Sequence, residues 1–360
     1  MIKTVCIAGV LLTAGCISGI PDWNAASREE TLRWFLENEY GVRPACAERP
    51  SVSFAAIEPD VVMMDGVAIR KRIRISYSGP YGTNSFAVTA FIPKSEKPVP
   101  AFLLICNRDP GENIDPTRVR KSDFWPAEEI VRRGYAALAF SNKEIAPDCD
   151  LGCVTGVFAC FDDPSWRKSC HRPFTAWATL SAWAWGASRV MDWIETEPAL
   201  DAKRVAVVGH SRGGKTALLA GVTDGRFAMA CVNGSGCSGA KLNRMDIPDS
   251  ESIAVITRSF PYWFCSNYRM WSNRDGEVPF DQHQLLALMA PRLVAVGDAV
   301  DDRWAGPEGE EACCRLARPA WNDPTDVDYH IRPGGHDLTL VDWTAYMDFA
   351  DRKAWNGKVN

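Results

Sequence analysis

The stretch RVAVVGHSRGGKTALLAG, Arg204 to Gly221, limits what this chain can fold into more than any other. Val205 to Val208 is an unbroken apolar run of the kind buried on both faces of a sheet, and Lys215 to Ala220 has helix-forming character. The residues between them, Gly209-His210-Ser211-Arg212-Gly213, must turn the chain from strand to helix in one sharp bend. Such a bend leaves no room for side chains at Gly209 and Gly213 and lifts Ser211 to its apex. The helix that follows aims its first amide groups at any negative charge that develops there. Strand, turn and helix in this order read as the seat of a nucleophilic serine. A capping serine in an ordinary turn is the plainer alternative, and the context disfavours it.

The rest of the chain supplies the sheet that such a turn needs. Ser27 opens an amphipathic helix, with Glu30 three residues on and apolar residues at Leu32, Phe35 and Leu36. RKRIRISYSG and SFAVTAFIPK alternate with the period of an antiparallel pair. After them PAFLLICN, YAALAFS, MACVNGSG and PRLVAVGD are short continuous apolar runs, and DYHIRP ends the series. Helical stretches separate them, the longest being TAWATLSAWAWGASRVMDWIET. No repeat or linker divides the chain, so one α/β domain is expected from residue 22 to 360, with a doubly wound, mostly parallel sheet and an antiparallel start. Ligands in such sheets sit at the carboxyl ends of the strands.

A nucleophilic serine needs a base, and the chain offers five histidines. His171 lies in a Cys-rich loop, and His210 belongs to the turn itself, where its side chain is expected to point away from the attacking position. His283 begins an apolar helical run and reads as structural, while His330 sits on the final strand. His336, in the glycine-rich RPGGHDLTL after that strand, stands where this chain order places the base. The acid is expected after the strand RLVAVGD, in a loop that holds Asp298, Asp301 and Asp302. Asp302 is favoured over Asp301.

The amino terminus, MIKTVCIAGVLLTAGCISGIPDW, has one lysine before an apolar run, Val5 to Ala14, too short to span a bilayer as a stable helix. Residues 1–20 are expected to be an export signal. LLTAGC approximates a lipoprotein cleavage site before Cys16, with Thr13 where leucine is usual, and a lipid there would be the only contact with a membrane. Export would let the loop CDLGCVTGVFACFDDPSWRKSC oxidise, since Cys149, Cys153, Cys160 and Cys170 are near enough in sequence to staple it. Their spacing matches no common zinc site, so no metal is expected. A net charge of -5 gives no ground for a nucleic acid partner. The 14 tryptophans mildly favour a carbohydrate ligand, because indole faces suit sugar rings.

With these residues in place the chain resembles the glucuronoyl esterase family, in particular its bacterial members, within the α/β-hydrolase superfamily. GHSRGGKTAL resembles the family's elbow, with Arg directly after the serine and Lys three positions further on. FPYWF, VPFDQHQLLALMAPR, DDRWAGPEGE and RPGGHDLTLVDW resemble its later blocks in the same order. The resemblance implies a three-layer αβα sandwich and an exported serine esterase that needs no cofactor. It implies cleavage of the ester between 4-O-methyl-glucuronic acid on glucuronoxylan and an alcohol group of lignin, through a Ser-His-Asp acyl-enzyme mechanism. On the matching residues it implies Ser211 as nucleophile, His336 as base and Arg212 as oxyanion stabiliser. Lys215 would contact sugar hydroxyls, and Trp304 would contact the sugar near its 4-position. Charge chemistry agrees, since cations beside Ser211 stabilise both the oxyanion of the intermediate and the uronate product. At a helix N-terminus the same cations oppose the macrodipole, so helix stability does not account for them.

The chain departs from the family's pattern at one place. Many members carry their catalytic Glu shortly after the strand that follows the elbow helix, and here Gly234 stands at that position. The family's other pattern, an acid after the next strand, corresponds to Asp302. Two alternatives stay open: an acetyl xylan esterase with the same triad, and a non-catalytic carbohydrate-binding homologue, suggested by Gly234 and the tryptophans.

Overall fold

Alternation between helix-covered faces organises the molecule, seen here in a computed structural model that describes residues 20–355 apart from 151, 170 and 171. Residues 1–19 of the expected export signal, with Cys16, lie outside the described residues, as do Cys170 and His171. Ten strands form one sheet: β1 (Ser51–Ala56), β2 (Val61–Met63), β3 (Ala68–Gly79), β4 (Gly82–Pro93), β5 (Val99–Cys106), β6 (Ala136–Ser141), β7 (Leu200–His210), β8 (Met229–Asn233), β9 (Leu293–Ala299) and β10 (Val327–Arg332). Their order is β1-β3-β4-β6-β5-β7-β8-β9-β10, with β2 against β3. The pairs β1–β3, β2–β3, β3–β4 and β4–β6 are antiparallel, and every pair from β6 through β5 to β10 is parallel.

The continuous apolar runs become strands buried on both sides. In β5, Ala101, Leu103 and Ile105 face one core and Phe102, Leu104 and Cys106 the other. β7 divides in the same way, Val205 and Val207 against Ala206 and Val208. The first core is closed by the Trp-rich helix Thr179–Ile194 and the elbow helix Arg212–Thr223, the second by the C-terminal helix Leu340–Arg352 and the helix Ala127–Arg132. A strand with no polar face is stable only in such a sandwich, which is why these runs were readable as strands of a parallel sheet. The N-terminal helix Arg28–Phe35 starts at Ser27, whose side chain accepts the Glu30 N–H at 3.2 Å.

The tryptophans serve this packing more than they serve a ligand. Trp125, Trp177, Trp183, Trp185 and Trp343 are fully buried, and the indole N–H groups of Trp183 and Trp185 donate to the carbonyls of Ala146 and Ala47. Trp304 differs, being 41% exposed. The expected staples of the Cys-rich loop do not form at Cys149 and Cys153, which carry no disulfide. No helix among the described residues is long and apolar enough to cross a membrane. From β5 the chain moves outward to β6 and then returns past β5 to β7, so the carboxyl ends of β5 and β7 flank the crevice where such a sheet holds ligands.

Candidate active site

Ser211 stands at the carboxyl end of β7 with φ 58° and ψ -124°, a left-handed conformation that a serine does not adopt without constraint. The constraint is the close approach of the two arms of the turn: a Cβ on Gly209 would lie 1.9 Å from the Gly213 carbonyl oxygen. The Ser211 N–H donates to Asn233 O of β8 at 2.8 Å, and its carbonyl accepts the Lys215 N–H at 3.1 Å, opening the elbow helix. The turn expected from the sequence is therefore present, with the serine at its apex and the helix N-terminus beneath it.

The expected base and acid meet. Asp302 Oδ2 lies 2.6 Å from His336 Nδ1, and Asp302 Oδ1 accepts the Ala305 N–H at 3.2 Å. Asp302 is 3% exposed, whereas Asp301 faces solvent and ties its loop to the His336 loop through an N–H to Gly334 O at 3.0 Å. Asp298 is buried behind them with Glu310, and burial followed by the charge of neighbouring carboxylates raises both carboxyls well above their usual range. Gly234 lies against this pair: a Cβ there would be 3.2 Å from Asp302 Oδ2 and 3.5 Å from His336 Nδ1. Even a methyl group at 234 would press on the Asp302 carboxylate, and the carboxylate that meets His336 comes from the loop after β9.

One expectation about the turn is corrected. His210 does not point away: its ring packs 4.4 Å, centroid to centroid, from that of His336. Lys215, the expected sugar contact, is buried beside the turn. It is 1% exposed, and its Nζ donates to Ser235 O, to Cys237 O at 2.7 Å and to Glu251 Oε2 at 2.7 Å. An ammonium has three protons, and all three are engaged with the loop after β8. Glu310 grips the same loop, accepting the Ser235 hydroxyl at 3.1 Å and the Gly236 N–H.

Arg212 lies beside the serine over a pair of aromatic rings. Phe260 and Trp263 stack at 3.8 Å, and the guanidinium carbon is 5.1 Å from the Trp263 ring. One terminal nitrogen of Arg212 binds Asp148, whose other oxygen accepts the Trp263 indole N–H at 2.8 Å. Trp304 sits at the rim, its carbonyl accepting the Glu251 N–H at 2.9 Å. Sequence reading passed over Asp148, Glu251, Glu310, Arg332 and Asp342. Arg332 holds the His336 loop by donating to the carbonyls of Pro333, Gly335 and Asp337, and its Nε donates to Asp342 at 2.7 Å. A signal for Asp342 existed in TLVD, a capping box at the start of the C-terminal helix.

Of the other histidines, His283 Nε2 lies 2.8 Å from Pro21 O and His330 Nε2 lies 3.0 Å from Asp342 Oδ1, so both are occupied in the framework.

Comparison with known proteins places this geometry. Residues 80–323 match the family described as fungal glucuronyl esterase. A carbohydrate esterase named MZ0003, from an unknown prokaryotic organism, is 31% identical over 97% of this chain and 89% of its own length. A 4-O-methyl-glucuronoyl methylesterase from Podospora anserina is 31% identical over 69% of this chain, which spans only 50% of that relative. Among solved structures, a glucuronoyl esterase from Solibacter usitatus superposes with a TM-score of 0.81 at 30% identity, covering 92% of this chain and 94% of that one. A structure described as a promiscuous esterase of the same carbohydrate esterase family, from a marine bacterial metagenome, superposes at 0.78 with 29% identity over 91% of each chain.

Proposed function

The chain belongs to the glucuronoyl esterase family of α/β-hydrolases, and from that premise we propose that it hydrolyses esters of 4-O-methyl-glucuronic acid carried on glucuronoxylan. Ser211 attacks the ester carbonyl while His336 takes its proton, and Asp302 holds the imidazole through Nδ1 and stabilises the imidazolium that forms. The oxyanion meets the N–H of Arg212, the residue after the nucleophile, and the positive field of its guanidinium. Asp148 and the Phe260–Trp263 stack keep that guanidinium in place. His336 then protonates the departing alcohol, a hydroxyl of lignin in the full substrate, and activates the water that frees the uronate from Ser211.

The observation that carries this reading is the 2.6 Å contact of His336 Nδ1 with Asp302 Oδ2, in a chain whose strand-to-helix turn holds Ser211 at φ 58°. Lys215 supports substrate binding through the loop it fixes, and Trp304 offers an exposed indole at the rim. The apolar amino-terminal run supports export of a single catalytic domain, with lipid attachment at Cys16 as one form of it. Because the Lys215 ammonium is already held by three acceptors, the acetyl ester reading keeps a place as the second one.

One assay separates the readings. The wild-type protein should cleave a methyl ester of glucuronic acid with higher kcat/KM than a simple acetyl ester, and Ser211→Ala should abolish both. Cleavage of the acetyl ester alone would reverse the substrate assignment, and equal turnover by Ser211→Ala would remove the serine mechanism.

A further inference from the structure

His210 has no task in the ester chemistry above, yet it is 2% exposed and packed against the machinery. Its ring lies 4.4 Å from the His336 ring with the planes at 48°, and Phe124 meets it edge-on at 6.0 Å. Nδ1 is 2.7 Å from Asn233 Oδ1, and because an amide oxygen only accepts, Nδ1 carries a proton. The charged groups that face it are His336, Arg108 from the loop after β5 and Asp342 from the C-terminal helix. Burial first, then the charge of His336, holds it well below the usual histidine range, which favours the neutral ring.

Asp302 alone does not fix the base. One hydrogen bond at Nδ1 leaves the His336 ring free to swing about that contact, and the His336 side chain is 34% exposed. We propose that His210 is a positioning residue, a neutral ring against which His336 is held in register with Ser211 and against which its protonated form rests during acyl transfer. A neutral π-face beside an imidazolium is attractive, whereas a second cation at that distance would repel it. Gly234 borders both rings, since a Cβ there would stand in van der Waals contact with His210 Cε1 at 3.6 Å and with His336 Nδ1 at 3.5 Å. The inference rests on His336 being the base.

The test compares His210→Ala and His210→Phe with wild type and with His336→Ala on the methyl glucuronate ester, with a thermal melt of each protein. His210→Ala should lower kcat roughly 10- to 100-fold with KM changed less than about twofold, and His210→Phe, which keeps a ring but not the Asn233 bond, should return kcat to within about threefold of wild type. Wild-type kcat in His210→Ala, a loss confined to KM, or a folded His210→Phe as slow as His210→Ala would overturn the proposal. If His210→Ala does not fold, the Phe variant decides alone, and a kcat loss beyond about tenfold overturns the proposal. Activity in His336→Ala would instead overturn the triad reading, and this proposal with it.

Discussion

At position 234 a glycine makes room for a carboxylate that comes from another strand. Its φ of 48° and the 3.2 Å from a would-be Cβ to Asp302 Oδ2 mean that any side chain there is strained twice. Gly234→Ala should therefore cost about 1–2 kcal/mol of stability. It should also slow turnover by shifting Asp302, which a melt and a rate measured on the same sample would check. Asp302→Ala should reduce kcat by about 10⁴-fold with the melting temperature nearly unchanged, because His336 loses the partner that sets its tautomer. A near-wild-type rate in that variant would move the acid role elsewhere. The loop after β9 was legible as the source of a carboxylate, and the family resemblance pointed to Asp302, but no local pattern in the loop tells which of Asp301 and Asp302 turns inward. The place of His210 was legible too, had alternation been followed: Ala206 and Val208 face the core under the C-terminal helix, and His210 continues their side. Lys215 was not legible, since no local pattern reveals that three acceptors from another loop converge on its ammonium.

The elements that carry the site are braced by a second His–Asp contact away from the chemistry. Asp342, in the first turn of the C-terminal helix, accepts from His330 and Arg332 of β10 and from the Thr339 N–H at 2.8 Å. Burial alone would raise its carboxyl, but the hydrogen bonds from His330 and Arg332 outweigh it and hold it below the usual aspartate range. A depressed folded value stabilises the protein above the unfolded value, roughly pH 4, and that contribution is lost as pH falls through the folded one. Asp342→Asn leaves Arg332 buried without its partner, so we expect a loss of about 3 kcal/mol in denaturant unfolding at pH 7, shrinking as the pH is taken below about 4. A loss that stays constant down to acid pH would disprove the linkage. The central strands were readable because burial on both faces leaves no polar residue to interrupt them. β1 was passed over although Ser51-Val52-Ser53-Phe54 alternates and Val52 and Phe54 pack against the core, because so short a run at a sheet's edge, mostly exposed, stands out little from a loop.

Across the whole molecule, three buried carboxyls tilt stability against alkaline pH. Glu39, in the wide turn after the N-terminal helix, is fully buried, and burial pushes it up to about 8 despite two contacts from Gln282 Nε2 at 3.1 and 3.3 Å. Asp298 and Glu310 are raised in the same direction behind the site. Between the unfolded value, roughly 4, and a raised folded value the native state keeps a proton that the unfolded chain has released. Stability must then fall as pH rises through that window, opposite in sign to the contribution of Asp342. The two contributions oppose each other, the depressed carboxyl favouring the fold above the unfolded value and the raised carboxyls favouring it below their folded values. Glu39 also joins distant segments, its carbonyl accepting the Cys265 N–H at 2.9 Å and its carboxyl meeting Gln282, so its ionisation would loosen the packing of the N-terminal helix on the body. Calorimetry should find the melting temperature lower at pH 8 than at pH 5, with Glu39→Gln flattening part of that decline, because an amide keeps the shape and has no proton to lose. The same slope in wild type and Glu39→Gln would show that Glu39 is ionised in the folded protein and that its burial carries no such cost.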